Sequence, residues 1–132
     1  MNHILKALMA TTVCTLFFTG CATTQNLLSI ENYIKETVPH RQTYFRQIWA
    51  VEDDGEFRVS GRLRLKGPMG ANIPDYVEVA LLDKDGAVIE KQTVSYYPRV
   101  LTGRRRHQEA RFSAHFSETP PPGTTIRLSN VN

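Results

Sequence analysis

From Glu56 to Lys66 the chain reads EFRVSGRLRLK, and this stretch constrains the fold more than any other. Phe57, Val59, Gly61, Leu63 and Leu65 share one parity, while Arg58, Ser60, Arg62, Arg64 and Lys66 share the other. A period of two is a strand's period, with one face for a core and one for water. Burying each large apolar side chain contributes roughly 1.5–3 kcal/mol. A slip of one residue would drive three arginines and a lysine inward, so the register is strongly set.

The rest of the chain after residue 42 supports the same class. TYFRQIWAV is read with Phe45, Trp49 and Val51 on one face and Gln47 as a polar exception. DYVEVALLD carries apolar groups on both faces at its end. AVIEKQTVSYY follows the turn Lys84-Asp85-Gly86, whose Asp-Gly pair is a strong hairpin signal. QEARFSAHF turns Ala110, Phe112, Ala114 and Phe116 inward, and TTIRLSNV closes the chain after the stiff turn TPPPG. Six short strands separated by turns predict an all-β, antiparallel β-sandwich of immunoglobulin-like type, with a small open barrel as the alternative. Upstream, Ile30, Tyr33, Ile34 and Val38 recur at helical spacing between Ser29 and Pro39, which predicts one short helix over Ser29 to Val38.

The N-terminus has a different character. Residues 1–6 carry one Lys, one His and no acid, and about a dozen mostly apolar residues follow, from Ala7 to Phe18. A bilayer-spanning helix needs roughly 20, so this run fits a cleavable secretory signal. Phe18-Thr19-Gly20-Cys21 then resembles the bacterial lipobox: an apolar residue, two small ones and an obligatory Cys. The resemblance implies a signal peptide over residues 1–20, cleavage before Cys21, and acylation of Cys21 on sulfur and on the new amino group. Bulky Val13 precedes Cys14, which makes Cys14 a poor rival. Stable anchoring takes at least two acyl chains, so the lipidated protein would be held at the membrane. Ala22 follows the Cys where an Asp would imply retention at the inner membrane, so the outer membrane is expected. Residues 21–28 read as a tether and residues 29–132 as the domain.

Loss of 20 of the 132 residues leaves 112, one domain without a pairable cysteine. Lys and Arg number 16 against 13 Asp and Glu, and losing Lys6 leaves 15, a formal +2. So mild a charge does not suggest nucleic acid. Residues 57 to 128 are similar to the FxLYD-type sandwich domains of bacterial envelope proteins. VSGRL precedes Val79-Ala80-Leu81-Leu82-Asp83 and a Gly turn, with Val79 and Leu82 where that family has aromatics. The similarity implies the fold and no catalytic residue.

The search for chemistry leaves one signal. His107 and His115 stand eight residues apart, about 26 Å along a strand at roughly 3.3 Å each; with His40 they read as surface histidines and no metal site is assigned. Asp53-Asp54-Gly55 and Asp83 to Gly86 read as turns, since Gly86 comes too early for a calcium loop and Val94 stands where its closing Glu belongs. No serine lies in a nucleophile-elbow context; neither enzyme activity nor a cofactor is expected. YYPRVLTGRRRHQEAR gathers Arg99, Arg104, Arg105, Arg106 and Arg111 with Tyr96 and Tyr97 around a single acid, Glu109. Guanidinium forks suit phosphate and carboxylate. The expected function is a non-enzymatic, lipid-anchored envelope module that holds a partner protein. The alternative is direct binding of an anionic envelope polymer or lipid, such as lipopolysaccharide or peptidoglycan, through the arginine loop.

Overall fold

A computed structural model describes residues 25–30, 32–67, 73–102 and 104–132. The signal peptide, Cys14, Cys21, Ala22 and Gly103 lie outside the described residues. Seven strands follow a 3₁₀ turn at Leu27–Ile30. They are β1 (Ile34–Thr37), β2 (Thr43–Asp53), β3 (Glu56–Leu65), β4 (Tyr76–Leu82), β5 (Val88–Val94), β6 (Glu109–Phe116) and β7 (Thr125–Val131). They form two sheets, β1-β7-β4-β5 and β2-β3-β6, antiparallel except for the β1–β7 pair. The all-β sandwich expected from the alternation is the fold found. Its layering is immunoglobulin-like, while its strand order differs from the constant-type arrangement, which places the first, second, fifth and fourth strands together.

The core lies between the sheets and is built from the parities read in the sequence. Phe57, Val59, Leu63 and Leu65 of β3 face Val77, Val79 and Leu81 of β4 and Ile126 and Leu128 of β7 across the sandwich. Ala110, Phe112, Ala114 and Phe116 turn inward from β6. The ring of Phe57 lies 5.4 Å from Tyr33 and 6.2 Å from Phe116, centroid to centroid. The β2–β3 hairpin closes on Asp54 and Gly55, whose φ of 50° and 79° match the primed turns that follow strand twist. Asp83 Oδ1 accepts the backbone N–H groups of Asp85 and Ala87, so that acidic stretch is a turn organised by its own carboxylate.

Two expectations are overturned. Among the described residues no helix runs over Ser29 to Val38: residues 27–30 form a 3₁₀ turn and residues 34–37 form β1. The helical spacing is there, but Ile30, Ile34 and Val38 are exposed, and only Tyr33 is buried. The open edge of β7 offers backbone partners instead: Ile34 N–H donates to Thr124 O, and Val38 N–H to Leu128 O. This added strand also makes the count seven.

Along β2 the parity reverses. Gln47 takes φ 51°, and the β2–β3 register shifts between Arg46 and Trp49. Such a bulge inserts one residue and exchanges the faces beyond it. Phe45 still leans on the core, with Phe112 at 5.7 Å, but past the bulge Ile48 and Ala50 are inside and Trp49 faces out. The amide of Asn26 caps this stretch of β2's edge. Its Nδ2 donates to Ile48 O at 3.2 Å, and its Oδ1 accepts Ala50 N–H at 3.0 Å and Leu28 N–H at 3.2 Å. Leu27 and Leu28 pack against the core beside it, so the body begins within the expected tether.

Candidate functional site

The outer face of β2-β3-β6 carries a depression that follows from strand register. Opposite residues of antiparallel strands share a face. Arg46, Arg62 and Arg111 are therefore neighbours in one row, and Trp49, Ser60 and Ser113 in the next. Tyr97 extends the first row, because its N–H and C=O exchange hydrogen bonds with those of Arg111 at 2.9 and 2.8 Å. Short serine side chains thus lie between Trp49 on one bank and Tyr97 on the other. The result is an open cleft of about 560 Å³, floored by Ser60, Gly61, Phe112 and Ser113 and walled by Trp49, Arg62, Arg111, Tyr97 and Arg99. That volume falls in the range of small-ligand sites.

Gly61 lets the floor close from beneath. A Cβ there would come 2.5 Å from Ile48 Cδ1 and 3.0 Å from Phe112 Cζ. Arg99 is held at the rim by two rings: its guanidinium carbon is 5.5 Å from the Tyr76 centroid and 6.0 Å from that of Tyr96. Asp75 approaches it at 3.9 Å.

The electrostatics are one-sided. Glu109 accepts a hydrogen bond from Arg62 Nη1 at 2.8 Å and lies 3.7 Å from Arg64 Nε. Arg62 Nε is buried with no hydrogen-bond partner among the described residues. Arg46 and Arg111 make no ion pair among the described residues. Like charges directly opposite on neighbouring strands are destabilising, so this row is maintained against its own repulsion.

Of the seven residues expected to bind, Tyr96, Tyr97, Arg99 and Arg111 line the cleft. Tyr96 does so from within the core, a correction to its grouping with Tyr97 beside the arginines. It is 3% exposed against 79% for Tyr97, and its hydroxyl donates to Pro74 O at 2.5 Å. Burial pushes its phenol above the ordinary value; Arg99 opposes and Asp75 adds. Arg104 and Arg105 are exposed on a second 3₁₀ turn, Arg105–His107, and are not among the cleft residues. The side chain of Arg106 lies outside what is described. Trp49, Ser60 and Ser113 were missed as cleft residues, and Arg62 was read only as part of a charged strand face. Trp49 is hidden by the bulge; the two serines carry no signal until the strands are in register.

Ser113 Oγ lies 3.2 Å from His115 Nε2, and His115 Nδ1 lies 2.5 Å from Glu56 Oε1. The atom order is that of an acid–base relay. His115 and Glu56 are each more than half exposed, however. The contact orients the Ser113 hydroxyl. Among the described residues no group of three His, Cys, Asp or Glu side chains gathers to hold a metal, and no helix is long and apolar enough to cross a membrane. Comparison with protein-family models, curated proteins and solved structures finds no match to this chain.

Proposed function

We propose that this chain is a lipid-anchored lipoprotein of the bacterial cell envelope, that its sandwich binds rather than transforms, and that the cleft on the β2-β3-β6 face is its binding site. The single observation that carries the cleft assignment is the row of arginines beside it, in which Arg46 and Arg111 make no ion pair among the described residues, with exposed Trp49 and Tyr97 on either side. A cationic concavity on rigid strands is costly to keep and suits an anionic ligand, whose oxygens would offset the repulsion. The described lining offers hydroxyls, guanidinium groups and aromatic rings, the groups that bind an anionic, hydroxylated ligand. The anchor rests on the small residues before Cys21, and its expected seat is the outer membrane.

The direct-binding reading is therefore favoured over the pure scaffold, and it moves the contact surface from the Arg104–Arg106 loop to the cleft. The scaffold reading keeps one support: Val88 and Ile89 on edge strand β5 are 56% and 48% exposed, a small apolar surface suited to a protein partner.

The test uses the full chain and anionic envelope extracts at low and high salt. Association should weaken steeply with salt and be lost in Arg111→Gln, with Val88→Ser/Ile89→Ser unaffected. Loss in the β5 variant alone, without salt dependence, would favour the scaffold. A fluorophosphonate probe should leave Ser113 unmodified; a labelled Ser113 would overturn the non-enzymatic reading. Palmitate labelling should disappear in Cys21→Ser and persist in Cys14→Ser, and label retained by Cys21→Ser would sink the anchor.

A further inference from the structure

We infer that the cleft recognises a sugar ring bearing a single carboxylate or phosphate group; this rests on the cleft being the binding site. Three kinds of surface meet there, and each selects one part of such a ligand.

The anionic group is selected by Arg62 and Arg111. They sit directly opposite each other on adjacent strands, which run about 4.8 Å apart. One compact oxyanion placed between them would draw on the charge of both. Arg111 has no ion pair among the described residues. Arg62 gives Nη1 to Glu109 and its Nε is buried, so Arg111 presents the open fork and Arg62 adds positive charge beside it. Planar two-oxygen acceptors, carboxylate and phosphate alike, match that fork.

The ring is selected by what surrounds the anion site. Trp49 and Tyr97 are exposed aromatic rings on opposite banks. Their negative faces favour the polarised C–H groups on the flat sides of a pyranose. Ser60 and Ser113 lie on the floor between them. A hydroxyl both donates and accepts, and so do the hydroxyls of a sugar. An acyl chain would leave the serines and arginines without partners. At about 560 Å³ the cleft has room for one or two rings.

The protein supplies its own reporter, because Trp49 is its only tryptophan. Fluorescence of the full chain in detergent would be titrated with N-acetylmuramic acid and N-acetylglucosamine, which differ by a carboxylate-bearing ether. A second pair, glucose 6-phosphate and glucose, reads phosphate in the same way, and the two arms separate a carboxylate source from a phosphate source. At least one acidic sugar should shift the emission and bind tenfold or more tightly than its neutral parent. Arg111→Gln should remove that tenfold without lowering the thermal midpoint, and Arg58→Gln, on the same face outside the cleft, should keep it. Equal binding of the neutral parents would refute anion recognition. Acetate or inorganic phosphate binding as tightly as the sugars would refute ring recognition, and tighter binding of adenosine monophosphate would replace the sugar with a nucleotide. If extracts shift Trp49 emission but no acidic sugar does, the ligand class is wrong and the site stands. If extracts bind without any response at Trp49, the site itself is wrong.

Discussion

Replacing Asn26 by Ala removes a side chain that works as a detached piece of strand. Its amide supplies one acceptor and one donor to β2, at Ala50 N–H and Ile48 O, and a second acceptor contact to Leu28 N–H. Three hydrogen bonds at about 0.5–1.5 kcal/mol each give a span of roughly 1.5–4.5 kcal/mol. The site is half-buried, so water re-solvates part of what is lost and the cost should fall in the lower half, about 2 kcal/mol. For a domain of about 100 residues, each kcal/mol shifts the midpoint by roughly 4 °C or more. Thermal unfolding followed by circular dichroism should therefore drop by about 8–10 °C. Hydrogen exchange gives the local reading: the Ala50 amide should lose protection while those in β3 keep theirs. Gln25→Ala, exposed beside it, is the control and should change nothing. A midpoint within about 1 °C of the parent, or an Ala50 amide that stays protected, would refute the role assigned to Asn26.

Leu63→Ala, at a fully buried position of β3, should cost about 2–5 kcal/mol by denaturant unfolding, against at most about 0.5 for outward Arg58→Ala; equal costs would mean the faces are reversed. Gly61→Ala should cost about 1–3 kcal/mol, because its Cβ would meet Ile48 Cδ1 at 2.5 Å. Adding Ile48→Val deletes that carbon and should recover part of the loss, whereas additive losses would place the clash elsewhere. Tyr33 and Tyr96 donate to Pro120 O and Pro74 O, and burial raises both phenols above the ordinary 10.0, with Glu52 adding at Tyr33. A folded-state pKa above the unfolded one means stability is full below pH 10 and declines as pH rises through the raised values. The thermal midpoint should hold to about pH 9.5 and then fall, less steeply in Tyr96→Phe; a parent midpoint unchanged at pH 11 would contradict this.

The difference between what could be read from the chain and what could not lies in single residues. β3 was legible because its alternation is unbroken for ten residues and its one Gly faces inward, where Ile48 and Phe112 need the space. β2 was misread past Gln47 because a bulge leaves no mark except one polar residue at an apolar parity. That reversal moved Trp49 from the core to the wall of the cleft. Residues 30–38 have helical spacing, but spacing does not reveal an edge on β7 waiting for backbone partners. The basic segment stood out in the sequence by its charge, yet only register shows that Arg111 stands beside Arg62 and that Tyr96 and Tyr97 part, one into the core and one into water. Tyr96 shares the parity of half-buried Val94, so its burial was the one part of that loop open to a reader of the strand pattern.

The docking of Asn26 also sets the length of the leash. With the proposed lipid on Cys21, five backbone steps separate the anchored residue from Asn26, at most about 18 Å fully extended. A sandwich held that closely shares a thin shell of space with whatever else projects from the same membrane. Short tethers impose local concentrations of order millimolar. A ligand borne by that surface would therefore meet the cleft at such concentrations, and an interaction too weak to survive dilution in free solution would still keep it occupied.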